Sequence, residues 1–276
     1  MSLDLSSELY YKKHNPFESV KRFFAEILVQ LGWNENEENE VVMDVGCGPG
    51  RTTTEQILPL FLKLEKIYAI DILTDMIDIA RKQNFHPKIE YCVANIEDWL
   101  TIKQWKEQMT KVISIHCFHW VKNKQLAFQN VFHLLKPGGE ASFFFVLEAA
   151  FFTTVLKLKE NPKWKSLFMG VDDCVPDSHH HKYDALHYKK MMESIGFEVL
   201  HCEKERKIDV FSSDEDIKNF FTSLCVLTPH VPMDRKEDFQ NDLLEELLRH
   251  NGRDSNGLPY HDGKILELVV RKKIKN

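Results

Sequence analysis

The sequence predicts an α/β protein built on a doubly wound, mostly parallel seven-stranded sheet with a helical lid. Three observations carry that expectation. Short apolar runs such as Val41–Val45 and Ile67–Ile70 alternate with stretches of helical periodicity, the pattern of successive βαβ units. The first run opens directly into Gly46-Cys-Gly-Pro-Gly50, a glycine-rich turn of the kind that joins the first strand of such a sheet to its helix. The second run ends on an acid, Asp71, where a ligand hydroxyl can be met.

Each element follows in order. Phe17, Val20, Phe23, Phe24, Ile27, Leu28 and Leu31 make one apolar face of a helix over 15–31, which the polar run from Asn34 to Glu40 ends. Then come strand 41–45, helix 51–63, strand 66–71, helix 74–82 and strand 89–93. A polar link over 97–110 leads to strand 111–116, helix 122–135 and strand 139–147, with Lys136-Pro-Gly-Gly139 stopping the helix. An insertion from Glu148 to Asp184 holds Trp164 and the run His179-His-His181, and a helix over 184–195 precedes a strand opened by Gly196-Phe-Glu-Val-Leu200. Ser212-Ser-Asp-Glu215 reads as a capping box with Ser212 as N-cap, launching a helix through Leu224. Asp234 begins another, with the stripe Phe239, Leu243, Leu244, Leu247 and Leu248, and Lys264–Arg271 is the final strand. The expected organisation is one domain over 1–276: an N-terminal helical segment 1–40, a ligand-binding core 41–147, lid insertions plus a strand over 148–263, and the last strand 264–273. The helices of 148–195 and 212–250 are expected over the ligand crevice.

Composition narrows the partners. With 276 residues and 43% hydrophobic content the chain buries a full core. A net charge of −6, from 36 basic and 42 acidic residues, disfavours a nucleic-acid backbone or an anionic membrane as the main partner, which leaves a small molecule. The six cysteines, Cys47, Cys92, Cys117, Cys174, Cys202 and Cys225, have no close pairs, so neither a disulfide framework nor a zinc site is expected. The first eight residues lack the basic start and apolar core of a signal peptide, and the apolar stretch Ala141–Phe152 is too short to span a bilayer and is interrupted by Glu148. A soluble cytoplasmic protein is the expectation, with its oligomeric state open and a homodimer among the possibilities. His179-His-His181 is read as a solvated loop rather than a metal site, because tight sites need spaced ligands on a fixed frame.

The glycine turn departs from a dinucleotide site. Arg51 stands where the third glycine of that fingerprint is needed for helix packing. Asp44, two residues before Gly46, would repel a pyrophosphate and favour a cationic ligand. S-adenosyl-L-methionine, with a ribose, no phosphate, a sulfonium and an ammonium, fits what these residues offer.

Asp44-Val-Gly-Cys-Gly-Pro-Gly50, Asp71, Asn95-Ile-Glu97 and Leu134-Leu-Lys-Pro-Gly-Gly139 resemble, in order and spacing, the motifs of class I S-adenosylmethionine-dependent methyltransferases, a Rossmann-like fold. Tyr11-Lys-Lys-His-Asn15, Ser114-Ile-His-Cys-Phe-His-Trp120 and Ala127–Leu135 resemble the juvenile hormone acid O-methyltransferase group, which acts on farnesoic acid or juvenile hormone acid in juvenile hormone biosynthesis. The resemblance implies a cofactor site made of Asp44, Gly46, Cys47, Gly48, Gly50, Asp71, Ile72, Met76, Asn95, Ile96 and His116, with Asp71 on the ribose, Met76 beside the adenosine, and Asn95 and the Ile96 backbone on the adenine edge. It implies a catalytic set of Trp120, His119 and Glu18, with Trp120 orienting the acceptor carboxylate. Asparagine replaces the aspartate common at position 95; it can still accept a hydrogen bond but brings no charge. Asn95 also reads as a plain turn residue, and Trp120 as a core tryptophan.

A carboxylic acid is ionised at neutral pH and attacks a methyl group without a general base, so the expected enzyme aims the acid and excludes water. Phe17, Phe151, Phe152, Trp164, Phe168, Phe220 and Phe221 are candidates to line an isoprenoid channel; each also reads as core. Glu18 stands where the resembling enzymes have a glutamine, and its charge would repel an acid. Either Glu18 points away, or it is held protonated, or the acceptor is not an acid. Two other readings stay open: an amine or hydroxyl acceptor with Glu18 or His116 assisting, and a cofactor-binding protein without turnover.

Overall fold

The computed structural model describes residues 10–11, 16–35, 39–172 and 174–274, so Lys12–Asn15 of the first quoted motif lies outside the described residues. Seven strands form one sheet: β1 (Glu40–Val45), β2 (Leu64–Asp71), β3 (Ile89–Val93), β4 (Met109–Ile115), β5 (Leu135–Ala149), β6 (Phe197–Val210) and β7 (Tyr260–Lys272). Their order is β3-β2-β1-β4-β5-β7-β6. The pairs β1–β2, β1–β4, β2–β3 and β4–β5 are all parallel. The chain therefore starts in the middle of the sheet, winds outward to β3 and returns to add β4 on the other side of β1. That reversal beside β1 is where an open α/β sheet leaves a crevice at its carboxyl edge.

The chain divides into two compact units. Among the described residues, the sheet unit comprises those within 16–146, 183–205 and 265–274, and the helical unit those within 147–182 and 206–264 together with 10–11.

In the sheet unit the strands are near-continuous apolar runs because both faces are covered. Val42, Met43, Ile67, Ala69, Val112 and Ile113 are fully buried. Behind them Phe118, Phe128 and Phe143 interlock, with centroids 4.7 to 4.9 Å apart. Each such ring stabilises the fold by about 1.5–3 kcal/mol through burial, and Phe118 thereby pins the segment that follows β4.

The first helix differs from the even periodicity the sequence suggested. Its α-helical part is α1 (Glu18–Arg22), and Phe23–Leu28 continues it as a π-helix. A second π-helical turn, Thr53–Ile57, follows the glycine turn. Such turns insert one residue into a helix and re-aim the side chains around it. The regular helices of this unit are α2 (Thr74–Gln83), α3 (Lys124–Leu134) and α5 (Ala185–Ile195), numbered with α4 below. The polar link over 97–110 contains a short helix, Trp99–Ile102, capped by the Asp98 side chain. Lys136–Gly139 is an irregular start of β5, which already pairs Leu135 with Met109 before its register shifts.

The helical unit contains α4 (Ala150–Glu160), α6 (Asp214–Leu224) and α7 (Lys236–Asn251). Of the apolar stripe of α7, Phe239, Leu243 and Leu247 are fully buried, while Leu244 and Leu248 are half-buried at its edge. Trp164 belongs to this core rather than to a channel: it is fully buried, edge-on to Phe239 at 5.3 Å, and its Nε1 donates to Asp242 at 2.7 Å. Phe168, 1% exposed, packs on the same ring of Phe239. Two further readings are corrected. The N-cap of α6 is Ser213, whose hydroxyl accepts from the Asp216 amide at 3.1 Å, because Ser212 lies one residue too early to reach that amide. The run 179–181 is not a solvated loop: it ends a short helix, Asp177–His181, with His179 buried against Phe152.

Candidate active site

The turn after β1 is shaped by positive φ at Gly46, Gly48 and Gly50 (+76°, +53° and +84°). The amides of Gly46 and Cys47 donate to the Ile70 carbonyl at 2.8 and 3.0 Å, which binds the turn to the end of β2. Asp71 completes the cradle. One carboxylate oxygen accepts from the Gly48 amide and the other from the Leu73 amide, both at 2.9 Å. Three residues that local sequence pattern does not single out hold the far side. Asn84, the C-cap of α2, donates from Nδ2 to the Pro49 carbonyl at 2.7 Å. Tyr91 of β3 donates to the Asn84 carbonyl at 2.9 Å and lies directly under Gly50, where an added Cβ would meet its hydroxyl at 2.7 Å. Arg81 in turn fixes the Tyr91 carbonyl at 2.7 Å.

The electrostatics are unusual for a nucleotide site. Asp44 is 2% exposed and accepts from the Thr53 hydroxyl at 2.6 Å, a contact supplied by the π-helical turn. Burial and, to a lesser degree, the charge of Asp71 push its pKa up to about 7 against the lowering effect of Thr53. Burial also raises Asp71, partly offset by the amides it accepts from. Burial and the two nearby carboxylates drive the Cys47 thiol well above its ordinary range, so it is an inert wall of the turn. A buried carboxylate beside a half-buried one, with no cation among the groups that shift either, favours a positively charged ligand and is hostile to phosphate.

The other expected cofactor residues follow β2 and β3. Ile72 follows Asp71 with its side chain 55% exposed, and Met76 is buried in α2. Asn95 closes the turn after β3, where its side-chain oxygen accepts from the Glu97 amide at 2.9 Å. It is thus a turn residue whose carbonyl oxygen keeps one further lone pair. The Ile96 carbonyl accepts from Asn130 at 2.7 Å, which fixes that backbone.

The segment after β4 abuts the turn: a Cβ on Gly46 would lie 2.3 Å from the Cys117 sulfur. His116 takes a left-handed conformation, φ +52°, and its amide donates to Phe144 at 2.7 Å. Its ring meets Phe17 at 5.7 Å, Phe144 at 5.1 Å and His119 at 6.3 Å, and His119 meets Trp120 at 5.1 Å. His119 is 7% exposed, and burial, with the charges of His116 and Lys124 secondary, holds it well below the usual histidine range and so neutral. Trp120 is half-buried at the end of a turn closed by its amide on the Cys117 carbonyl. Glu18 stands apart in character: its side chain is 62% exposed and pairs with Lys21 at 3.4 Å.

A family model described as a methyltransferase domain matches residues 13–202. The chain belongs to that methyltransferase family. Its cofactor is S-adenosylmethionine, and the acidic cradle fits that molecule. The methyltransferase is similar to "Juvenile hormone acid O-methyltransferase" of Bombyx mori, 25% identical over 85% of this chain and 84% of that protein. It is similar also to the protein of the same name from Drosophila melanogaster, 23% identical over 84% and 78%. Among solved structures the MccD protein shares the fold, with a TM-score of 0.58, 15% identity, and coverage of 94% of this chain and all of that one. No helix among the described residues of the methyltransferase is long and apolar enough to cross a membrane. Among the same residues no group of three or more His, Cys, Asp or Glu side chains could hold a metal ion.

Proposed function

We propose that this methyltransferase acts on the carboxylate of an apolar small-molecule acid of the sesquiterpenoid class, in the manner the names of its insect relatives describe. The observation that carries the reading is the row of rings from Phe17 through His116 and His119 to Trp120, set against the glycine turn through Cys117 and Gly46. In this reading the turn 46–50 and Asp71 hold the cofactor's ribose, Asp44 faces its cationic end, and Ile72, Met76, Asn95 and Ile96 take the adenosine. Bound there, S-adenosylmethionine supplies an electrophilic methyl group.

What the protein adds is position and dryness. The acceptor is already ionised near neutral pH and needs no base, consistent with a His119 that is buried and neutral. The Trp120 indole, a donor only, fixes one carboxylate oxygen and leaves the other to react. Holding reactants in line is worth about 7–11 kcal/mol. Glu18 is exposed and paired with Lys21, and the proposal gives it no contact with the acid.

Trp120→Phe keeps the ring and removes the donor. Transfer of a labelled methyl group to farnesoic acid should fall about tenfold or more, the loss of a hydrogen bond to a charged group, while affinity for S-adenosylhomocysteine stays within twofold. Equal transfer rates in both proteins would reject the role.

Asp44 imposes a pH dependence on the first step. Between the unfolded pKa of 3.8 and the folded value of about 7, the folded ligand-free protein holds a proton that the unfolded chain has lost. Its stability therefore falls as pH rises through that window, by at most about 1.4 kcal/mol per pH unit for one group. A cationic cofactor engages the ionised form, so its affinity rises with pH toward 7 and then levels. Asp44→Asn should abolish that rise in calorimetric titrations at pH 5.5, 6.5 and 7.5 and flatten one proton's share of the stability slope; a wild-type affinity independent of pH would refute this.

A further inference from the structure

Two turns of the sheet unit that lie far apart in sequence are tied by one carboxylate. The Glu97 side chain accepts from the backbone amide of Asn123 at 2.7 Å. Glu97 sits in the turn after β3, which the reading above gives to the adenosine, and Asn123 is the N-cap of α3, three residues after Trp120. Local sequence does not supply this bond. The amide of an N-cap residue is met in a capping box by a Glu or Gln at the third helical position. That position is Leu126, whose own amide donates to the Asn123 side chain at 3.0 Å. An acid from a distant turn therefore takes the place of the missing half of the box, and its charge suits the positive end of the helix.

The two ends of the tie depend on Glu97 unequally. The turn after β3 is fixed without this carboxylate: the Asn95 amide donates to the Thr101 hydroxyl at 3.0 Å, the Asp98 amide to the Asn95 carbonyl at 2.9 Å, and Asn130 to the Ile96 carbonyl at 2.7 Å. On the other side, the turn that carries His119 and Trp120 is closed by the Trp120 amide on the Cys117 carbonyl and the Val121 amide on the Phe118 carbonyl. Its exit into α3 is held at the Val121 carbonyl, which accepts from the buried Lys124 ammonium at 2.8 Å, and at the Asn123 amide by Glu97. Lys122 and Asn123 between those points are exposed, so burial does not fix their path. The charge of Glu97 also contributes, after burial, Asp71 and Asp44, to raising the Cys117 thiol, which sets it beside the start of the same turn.

We propose that Glu97 is a positioning residue for methyl transfer: by holding the Asn123 amide it sets the exit of the turn 117–121 and with it the direction of the Trp120 indole. The inference rests on the role given above to Trp120 and extends it to a residue that acts through the backbone rather than on the acid.

Methyl transfer to farnesoic acid is measured for the wild type, Glu97→Ala, Glu97→Gln, Trp120→Phe and the double variant Glu97→Ala/Trp120→Phe. Glu97→Ala should lower kcat/KM for the acid about tenfold, as a misplacement of less than 1 Å does, with KM for S-adenosylmethionine within about twofold of wild type. A merely structural role would move both. Glu97→Gln keeps an oxygen for the Asn123 amide and should recover to within about threefold of wild type. The double variant should be about as slow as Trp120→Phe alone, because the aim of the ring stops mattering once its donor is gone. In Glu97→Ala the backbone amide resonance of Asn123 and the indole ¹⁵N resonance of Trp120 should both shift. Wild-type transfer in Glu97→Ala, a glutamine variant as slow as alanine, a double variant slowed by the product of the two single effects, or a static indole resonance would each overturn the inference while leaving a slow Trp120→Phe, and so the role of Trp120, in place. A wild-type rate in Trp120→Phe would reject that role and this inference with it.

Discussion

Asp71→Ala is expected to weaken binding of S-adenosylmethionine by about 10²- to 10⁴-fold, the loss of two hydrogen bonds to an ionised group at roughly 1.5–3 kcal/mol each. The effect is large because the carboxylate serves two purposes. Its oxygens already accept from Gly48 and Leu73, so it aims the turn and, in the proposed reading, the ligand as well. Without it two amides lose their acceptor, and the ligand-free fold should lose about 1–3 kcal/mol as well. Asp71→Asn keeps the shape but offers one acceptor oxygen in place of two, so one amide faces a donor. It should lie between wild type and alanine in stability and near alanine in affinity. Calorimetry with S-adenosylhomocysteine and urea unfolding measure both; an alanine variant within threefold of wild-type affinity would remove Asp71 from the cofactor site.

The second large effect is steric. Gly46→Ala puts a methyl group 2.3 Å from the Cys117 sulfur and 2.4 Å from its Cβ, at a φ of +76° that an L residue resists. Left-handed strain of about 1–2 kcal/mol and overpacking of about 1–3 kcal/mol together predict a loss of about 2–5 kcal/mol. Gly257 separates the two terms. Its φ is +79° with nothing within 4 Å of an added Cβ, so Gly257→Ala should carry only the strain. Adding Cys117→Gly to Gly46→Ala should recover the overpacking part and leave a protein close to Gly257→Ala. Urea midpoints for the four proteins test this, and equal midpoints for the two alanine variants would show that Cys117 yields freely.

Much of the sheet is readable in the sequence. The strands β1 to β5 and β7 answer to apolar runs, whereas only the opening of β6 does, its remainder being polar and charged; strand 89–93 matches its expected bounds because His86-Pro87 and Asn95 punctuate both sides. The glycine turn and Asp71 were legible for the same reason: special backbone conformations leave a mark in residue type. What was not legible depends on contacts between distant segments. Nothing local to Tyr91 or Asn84 announces that they support Pro49 and Gly50, since the pairing depends on how β3 and α2 return to the turn. The buried state of His179 was missed because three consecutive histidines look polar, whereas one face of a short helix buries the first and leaves the other two exposed. Trp164 was ambiguous in sequence and became a core residue only through Phe239 and Asp242, more than 70 positions away.

The place of β7 between β5 and β6 sets an order of events during synthesis. β6 has no neighbour in the sheet other than β7, and one flank of β5 is likewise completed only by it. A ribosome delivers residues 260–272 last among the described strands, so one flank of β5 and both edges of β6 stay unpaired in the emerging chain until that segment arrives. The cradle around β1 and β2 is assembled from residues made much earlier. Closure of the far half of the sheet, rather than the ligand site, is therefore the step at which a nascent chain is most exposed to mispairing and to chaperone capture.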